Sequence, residues 1–533
     1  MASLTLFLIG SVLIVGWLGV QFNRLGRRPK SYPPGPPTRP ITGNIKQMPK
    51  AKVHVQYQEW AKEYGPIFSL ILGSKVVIVL SSETVVRELL EKRSAIYSSR
   101  PSLYLSQQIA SGGLRWTLME YGERWRKVRR VAHSALNASA SQTYVPYQDL
   151  ESVQMLTGFL DTPEDFMRHV QRFAMSLITQ VVFGFRTPTP DHDYIRQIFK
   201  NVQEISRLTS SAAMIDMFPL LKKLPDVMLP ARVLARKHFK NEREFLVSVW
   251  RRAKEAIETG NANPCFADEV YKAQTSERFD DDLSAYTCAV IQEAAADTSS
   301  VSVIAFIQAM ILHPEIQKKA QKEIDTAFGD SLPSLDGGME GAMGLPYLQA
   351  CVKETLRWLP AAPLGLPHCV TQDDEYLGYK IPKGATVLLN IWGIHRDPDR
   401  YPQPDVFDPT RFASTQESVS QEGVPESNIK SDHFAFGAGR RQCPGLYVAE
   451  RSMVLSAARF LWAFNFSKAV DELGREISPP GDNFSNGVVA TPLPFKANIV
   501  CRSPERAKRI REAWAECQQL LTEDYEWKMR PAT

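Results

Sequence analysis

The stretch FAFGAGRRQCPG, residues 434–445, is the most informative part of the sequence, because it places one cysteine directly before a predicted helix. Cys443 is followed by Pro444 and Gly445 and then by an apolar-periodic run over residues 446–464, which predicts that helix. A thiol at this place lies near the positive end of the helix dipole, which favours its thiolate form. A thiolate at this place can ligate a metal, but a lone cysteine without further context is more often a buried, inert thiol.

The same stretch contains Gly437-Ala438-Gly439, which is how a dinucleotide-binding loop begins. Gln442 stands where such a loop needs its third glycine, and no strand-helix-strand unit with an acidic partner follows. A nucleotide site is therefore disfavoured here.

Composition and charge exclude several classes of protein. The 533 residues are 44% hydrophobic and 23% charged, which is ordinary globular usage. Lys and Arg total 63 and Asp and Glu total 58, so the net charge of +5 predicts no nucleic-acid partner. The seven cysteines are scattered without a CxxC pair, which favours a reducing compartment over a disulfide framework.

The N-terminus predicts attachment to a membrane. Residues 1–23 carry no charged side chain and form an apolar run long enough to cross a bilayer, and Arg24, Arg27, Arg28 and Lys30 follow. A cleaved signal peptide would carry its basic residues before the apolar run, so we expect an uncleaved transmembrane anchor over residues 1–23. The positive-inside rule then places the rest of the chain on the cytosolic side.

One domain is predicted after the anchor, mainly α with small β-sheets. Residues 24–40 are basic and proline-rich and predict a stiff hinge, because proline fixes φ and lacks an N–H donor. Residues 41–500 contain no repeat or second linker and are expected to fold together, and residues 501–533 are expected to form a charged helical tail. Strands are predicted at 75–82 and 385–394, and helices at 150–185, 231–258, 283–312, 315–328, 347–359 and, solvated, at 503–529.

The spacing of five residues in the opening stretch resembles the haem-binding loop of the cytochrome P450 family of haem-thiolate monooxygenases. Those residues are Phe436, Gly439, Arg441, Cys443 and Gly445. The resemblance implies the cytochrome P450 fold and haem b, with Cys443 as the axial ligand of the iron. It also implies that Phe436 packs beside the sulfur, Gly439 permits a tight hairpin, Arg441 binds a haem propionate, and Gly445 lets the next helix approach the porphyrin.

A second motif supports the resemblance. In KETLR, Glu354 and Arg357 lie three residues apart on one helix face, like the Glu-x-x-Arg motif of the family. The downstream sequence DPTRF supplies Arg411, which by resemblance closes a buried three-residue network with them. The intervening residues 390–412 resemble the connecting segment of the family, and the resemblance as a whole spans residues 33–505.

Two further places are implied to bind the haem propionates. Trp125 and Arg129 lie four residues apart in ERWRKVRR, so both can face the same group. The other basic residues of 124–130 then point elsewhere, either as a solvated helix face or a nucleic-acid patch or, as the resemblance implies, as a docking surface for an acidic electron donor. His368 occupies a position where relatives place another propionate ligand, with a core histidine as the alternative.

The predicted helix over residues 283–312 carries Asp297 and Thr298, which match the acid–alcohol pair of the family. By resemblance, Thr298 hydrogen-bonds to the oxygen species and Asp297 relays protons, whereas the alternative is an aspartate that faces solvent. Ala295 stands where the family usually has glycine, which leaves open how far this helix is distorted.

The resemblance implies a monooxygenase that uses O2 and oxidises a lipophilic small molecule. The chain has no flavin or nicotinamide module, so we expect electrons from an NADPH-cytochrome P450 reductase on the same endoplasmic reticulum membrane. Residues 217–232 look most like fungal tailoring enzymes of the O-methylsterigmatocystin oxidoreductase type, which implies secondary metabolism. Substrate contacts are expected at residues 103–114, 206–217, 362–366 and 484–488 and around Ala294.

Two alternatives stay open. A haem-thiolate isomerase or dehydratase would need neither O2 nor a reductase, and the Asp297–Thr298 pair and the basic helix disfavour it. A membrane-tethered haem sensor or carrier would seal its distal pocket with a second protein ligand, for which the sequence offers no obvious candidate.

Overall fold

The computed structural model describes residues 25–336, 341–412, 433–481, 483–485 and 487–528, so the predicted anchor at residues 1–23 lies outside the described residues. The fold is mainly helical, as predicted. The helices are α1 (Val53–Tyr64), α2 (Glu83–Val86), α3 (Ser94–Tyr97), α4 (Glu123–Leu136), α5 (Val145–Asp161), α6 (Phe166–Phe183), α7 (Asp193–Met217), α8 (Pro230–Glu258), α9 (Phe266–Ser276), α10 (Asp281–Leu312), α11 (Pro314–Phe328), α12 (Pro346–Trp358), α13 (Ile391–Ile394), α14 (Leu446–Ala463) and α15 (Pro504–Gln519).

Small sheets flank the helices. The strands are β1 (Ile67–Leu72), β2 (Lys75–Leu80), β3 (His368–Cys369), β4 (Asp374–Tyr376), β5 (Tyr379–Ile381), β6 (Thr386–Leu389), β7 (Phe464–Val470), β8 (Glu476–Ile477) and β9 (Ala497–Cys501). They form three sheets, ordered β1-β2-β6-β3, β4-β5 and β8-β7-β9. The first of these contains both predicted strands, since β2 pairs in parallel with β6.

The second predicted strand is shorter than expected. It ends at Leu389, because the Asn390 side chain accepts a hydrogen bond from the Gly393 N–H at 3.1 Å and so caps the short helix α13. The apolar pattern predicted a strand up to residue 394, but the N-cap asparagine within that pattern begins a helix and so ends the strand.

The predicted helix over residues 150–185 is two helices. Helix α5 ends at Asp161 and α6 begins at Phe166, with a short turn over Pro163–Asp165 between them. Pro163 disfavours helical φ and ψ at Thr162 and has no N–H to donate, so the helix stops there.

Helix α10 crosses the centre of the molecule. Among the described residues it is the one helix long and apolar enough to cross a membrane, but 72% of its apolar window is buried inside the protein. It packs against α6 and α8, and the Asp280 side chain caps its start by accepting the Leu283 N–H at 2.7 Å. A helix that is apolar on all sides here serves as the core.

The C-terminal tail differs from the solvated helix predicted over residues 503–529. Helix α15 ends at Gln519, and Ala513 and Cys517 on one of its faces are buried against α5. The chain then turns back, so that the Trp527 Nε1–H donates to Gln180 Oε1 at 2.7 Å. The prediction of a solvated helix was wrong for this face, because the apolar side chains between the charged ones find a partner helix.

The proline-rich segment lies against the first sheet. The Arg28 guanidinium donates to Ser69 Oγ at 2.9 Å and to the carbonyl oxygens of Gly35 and Pro36 at 2.7 and 2.9 Å. The Ser69 hydroxyl in turn donates to Pro33 O at 2.6 Å. These contacts tie the predicted hinge to β1 from Arg28 onward.

Candidate active site

The cysteine loop, residues 434–445, is a hairpin that ends where α14 begins. The Cys443 N–H donates to Phe436 O at 2.9 Å and closes the hairpin. Gly439 has φ of +63°, and a Cβ on it would lie 2.0 Å from Leu90 O. Only glycine therefore fits at position 439, as predicted from the motif.

Open space adjoins Gly445 beside the Cys443 sulfur. A Cβ on Gly445 would have only the Cys443 Sγ within 4 Å, at 4.0 Å. Burial raises the pKa of the Cys443 thiol, although a hydrogen bond from the Gly445 N–H and the nearby Arg129 lower it. In the chain alone burial thus outweighs the helix-terminus effect expected from the sequence, and a bound cation would be needed to hold the thiolate.

A cluster of three cations, Arg100 buried and Arg129 and Arg441 half-buried, lies at this loop. Burial, with Arg100 and Arg129 close by, lowers the pKa of Arg441 to about 8. Burial also lowers the pKa of Arg129, although the nearby Cys443 opposes this effect. Burial lowers the pKa of Arg100 to about 10. In the described ranges no ion pair joins any of these three arginines to a carboxylate.

The cluster holds its geometry through main-chain oxygens. Arg441 donates to Ser98 O at 2.8 Å and to Met119 O at 2.7 Å, and its guanidinium lies 4.1 Å from the Trp125 ring centroid. The Trp125 Nε1–H is buried and has no protein acceptor in the part of the chain that the structure describes. A buried donor beside unpaired cations is costly unless an anion completes the site.

Arg100 was not predicted from the sequence. It donates to Thr117 O at 2.9 Å and to Leu366 O and Pro367 O at 2.8 and 2.7 Å, which holds it beside Arg441. The available signal was weak: Arg100 stands alone before Pro101, outside any helical or charged pattern.

His368 lies in β3 next to this cluster, as the sequence predicted. Its Nδ1 is 2.9 Å from Tyr97 O, so Nδ1 carries the proton and donates to that carbonyl. Burial, followed by Arg100, lowers the pKa of His368 to about 3, so the ring is neutral. Its role as a propionate ligand stays a prediction. Nε2 can donate to a carboxylate only when it carries a proton, so the carboxylate would have to raise the pKa of the ring.

The three residues predicted to form a buried network are brought together. Arg357 Nε lies 2.6 Å from Glu354 Oε2, and Arg411 Nε lies 3.5 Å from Glu354 Oε1. The Asp408 N–H also donates to Glu354 Oε1 at 2.8 Å. Glu354 and Arg357 have no exposed surface, so each buried charge is paired.

The predicted acid–alcohol pair lies in the middle of α10. The Thr298 hydroxyl donates to Ala294 O at 2.8 Å, within a continuous helix. Ala294 is exposed although it belongs to a core helix, so open space adjoins it. Burial raises the pKa of Asp297, whose side chain is half-buried rather than solvent-facing. With Ala295 in place of glycine, the helix stays unbroken here.

Helix α4 separates two kinds of basic residue. Trp125 is buried and Arg129 is half-buried, toward the cysteine loop, whereas Arg124, Arg126 and Arg130 are exposed. The spacing predicted this division for these residues. Lys127 was also expected to point elsewhere, but it is half-buried, and its Nζ lies 3.5 Å from Glu123 Oε1 and 3.7 Å from Glu277 Oε2.

Comparison with known proteins agrees with this site. Residues 33–499 match the family model for cytochrome P450. The chain is 46% identical over 528 residues to cytochrome P450 monooxygenase virE of Hypocrea virens, covering 98% of this chain and 95% of that protein. It is 44% identical over 526 residues to cytochrome P450 monooxygenase fogE of Aspergillus ruber, covering 98% and 97%.

Among solved structures, a zebra fish cytochrome P450 determined with progesterone superimposes with a TM-score of 0.68 at 23% identity. The match covers 84% of this chain and 99% of that chain, and it supports the fold alone. The sequence matches, together with the cysteine loop and its buried and half-buried cations, show that the chain belongs to the cytochrome P450 family, whose members hold haem through a cysteine thiolate.

Proposed function

We propose that this protein is a monooxygenase of fungal secondary metabolism that inserts one atom of O2 into a lipophilic small molecule and reduces the other to water. Haem held by a thiolate supplies the oxygen activation. The observation that carries the proposal is the set of buried and half-buried arginines beside Cys443 that pair with no carboxylate of the described residues, which fits a group that bears two carboxylates.

Each residue of this site has a proposed part in holding haem. Cys443 would ligate the iron, and Arg129, Arg441 and the Trp125 Nε1–H would hold the propionates by charge-assisted hydrogen bonds. Arg100 joins them, because its charge adds to the same cluster.

The loop shapes the sulfur side of the haem. Phe436, half-buried and bonded through its carbonyl to the Cys443 N–H, shields the sulfur from water. Gly439 allows the close approach to Leu90, and Gly445 leaves open the space that the porphyrin needs.

On helix α10, Thr298 and Asp297 would handle protons. Thr298 holds its hydroxyl proton toward Ala294 O and can turn it toward a ligand in the adjoining space. Because its pKa is raised by burial, Asp297 holds a proton more readily than an exposed aspartate, so it can pass one on.

Thr298→Ala tests this function. We expect unchanged haem spectra but a roughly ten-fold shift from product toward hydrogen peroxide, which is the effect of losing one hydrogen bond in a site without water. The measurement compares NADPH consumed, peroxide released and product formed, with a reductase present. The matched control is Thr326→Ala, since Thr326 makes the same bond, to Lys322 O at 2.8 Å, within α11, a helix that carries none of the site residues.

The same experiment separates the alternatives. Unchanged coupling in Thr298→Ala removes Thr298 from the mechanism. Product formed without NADPH or reductase supports an isomerase or dehydratase. No product from any fed metabolite, together with a second protein ligand in the spectra, supports a haem sensor or carrier.

We also propose that the enzyme is held on the endoplasmic reticulum membrane and takes electrons from an NADPH-dependent reductase. The exposed arginines of α4, Arg124 and Arg126, suit an acidic donor. Between α7 and α8, Leu220 is 78% and Val227 94% exposed beside Lys222 and Lys223, a pattern that suits a membrane surface.

Deleting residues 2–24 tests the attachment and keeps Arg28, which holds the next segment. We expect part of the protein to stay membrane-bound, and the further change Leu220→Ser with Val227→Ser to release that remainder. Complete solubility of the first deletion at low salt would mean that the loop does not bind membranes. Phe199→Ser, 36% exposed on α7, serves as the matched control.

A further inference from the structure

His395 lies between the Glu354–Arg357 pair and the cysteine loop and contacts both. Its Nδ1 lies 3.1 Å from Arg357 O, and Arg357 Nη1 donates to His395 O at 2.8 Å. On its other side, His395 Nε2 accepts the Phe434 N–H at 2.9 Å. Phe434 is the first residue of the cysteine loop, so one imidazole spans the two motifs.

The two hydrogen bonds determine which nitrogen of the ring carries the proton. A carbonyl oxygen only accepts, so Nδ1 donates to Arg357 O. The Phe434 N–H only donates, so Nε2 must present its lone pair. A protonated ring would set two N–H groups against each other at Phe434.

The surroundings keep the ring neutral. His395 has no exposed surface, and burial, followed by His433, Arg357 and Arg400, lowers its pKa well below the usual value. The hydrogen-bonding arrangement therefore holds throughout the working pH range.

Both partners of His395 need it. Arg357 is in the last turn of α12, where carbonyl groups lack helical donors, and the Arg396 side chain satisfies the next one, Trp358 O, at 3.0 Å. The Phe434 N–H precedes the hairpin, whose first turn is closed by the Gly437 N–H donating to Phe434 O at 2.8 Å. A displaced Phe434 would therefore displace the hairpin that carries Cys443.

We propose that His395 is a positioning residue, which transmits the fixed place of Arg357 to the start of the cysteine loop and so holds Cys443 where it can ligate the iron. This inference rests on the proposed role of Cys443, and it adds a residue that is outside both motifs.

The experiment compares His395→Leu, which can make neither bond, with His395→Gln, whose amide can donate to Arg357 O and accept from Phe434. The matched control is Gln317→Leu. Gln317 likewise joins a helix to a distant main chain, donating to Phe466 O at 2.9 Å and accepting the Phe466 N–H at 2.8 Å. Two readouts are used: loss of the red-shifted Soret band of the reduced carbon monoxide complex, and hydrogen exchange of the peptide over residues 434–445.

At temperatures where circular dichroism shows equal folded fractions, His395→Leu should lose the band about ten-fold faster than Gln317→Leu, and its loop peptide should exchange about ten-fold faster. His395→Gln should restore both. Equal rates in the two leucine variants, or unchanged loop exchange, would overturn the proposal.

Two other results of this experiment also bear on the proposal. If His395→Leu yields no folded protein, His395→Asn replaces it, since its shorter amide reaches only one partner. If the wild type itself lacks the red-shifted band, the proposed role of Cys443 fails, and loop exchange in the variants still decides whether His395 holds the loop.

Discussion

Two clusters of buried or half-buried arginines in this molecule differ in whether carboxylates of the protein pair with them. Arg115 lies between Glu242 and Glu293, with its Nη2 2.6 Å from Glu242 Oε1, and these carboxylates raise its pKa against the opposing effect of burial. Around Arg441, no carboxylate of the described chain pairs with the cations, and burial lowers their pKa values. The paired cluster is complete as a structural joint, whereas the unpaired one is complete only with an added anion.

The paired cluster continues to the surface. His238 joins it through Nε2, 3.2 Å from Glu242 Oε1, and reaches Glu204 Oε2 with Nδ1 at 3.0 Å. Carboxylates therefore alternate with Arg115 and, when it is protonated, His238 along a series from Glu293 on α10 through Glu242 on α8 to Glu204 on α7. This series of ion pairs joins the elements next to the expected substrate segments, and it forms without a ligand.

The largest expected effect concerns the sulfur beside the unpaired cluster. Cys443→Ala should abolish the red-shifted Soret band of the reduced carbon monoxide complex, because no thiolate remains to ligate the iron. Cys501→Ala, which removes a half-buried cysteine in β9, should leave the band unchanged. A band that survives in Cys443→Ala would identify another ligand and end the contrast between the clusters.

The second effect is on stability. Arg115→Met leaves two buried carboxylates without their cation and should lower the free energy of unfolding by about 3–5 kcal/mol, with haem bound or removed. Lys62→Met, which breaks the exposed pair with Glu59, should cause no measurable change. Denaturant midpoints check both. A small effect of Arg115→Met would mean that the paired cluster is not a structural joint.

The third effect should appear only when haem is bound. Arg129→Gln removes an unpaired cation, so the haem-free protein should be no less stable, while transfer of haem to a scavenger protein should become roughly ten- to hundred-fold faster. Arg130→Gln is the control, since Arg130 is exposed and pairs with Glu277. If Arg129→Gln destabilises the haem-free protein as Arg115→Met does, the two clusters do not differ in kind.

The smallest effect is pH dependence within the paired cluster. Burial lowers the pKa of His238, but hydrogen bonds to Glu242 and Glu204 raise it above its usual value overall. The charged ring therefore contributes stability that is present below the unfolded-state pKa near 6.5 and is lost as pH rises through the higher folded-state value. Unfolding midpoints should fall over this range in the wild type and fall less in His238→Gln. Equal slopes would contradict this role.

The elements predicted well from the sequence are those whose information is local. The cysteine loop, the Glu354–Arg357 pair and the Trp125–Arg129 spacing each lie within one short segment, so residue type and helical period suffice. The structure pairs Arg357 with Glu354 and brings Trp125 and Arg129 to the cysteine loop, and their roles toward haem stay predictions. The prediction of one helix over residues 150–185 was wrong for an equally local reason. Pro163 interrupts the helix, although the apolar pattern continues on both sides of it.

By itself, the sequence determined the cysteine motif and several of the long helices, the apolar core helix among them. Only the tertiary structure decided which charges are paired. Arg115 and Glu293 are 178 residues apart, and Arg100 and Arg441 meet although 341 residues separate them in the numbering. Whether a buried arginine is a structural joint or part of a ligand site depends on the groups within a few ångströms, and chain folding brings these together without leaving a periodic pattern in the sequence.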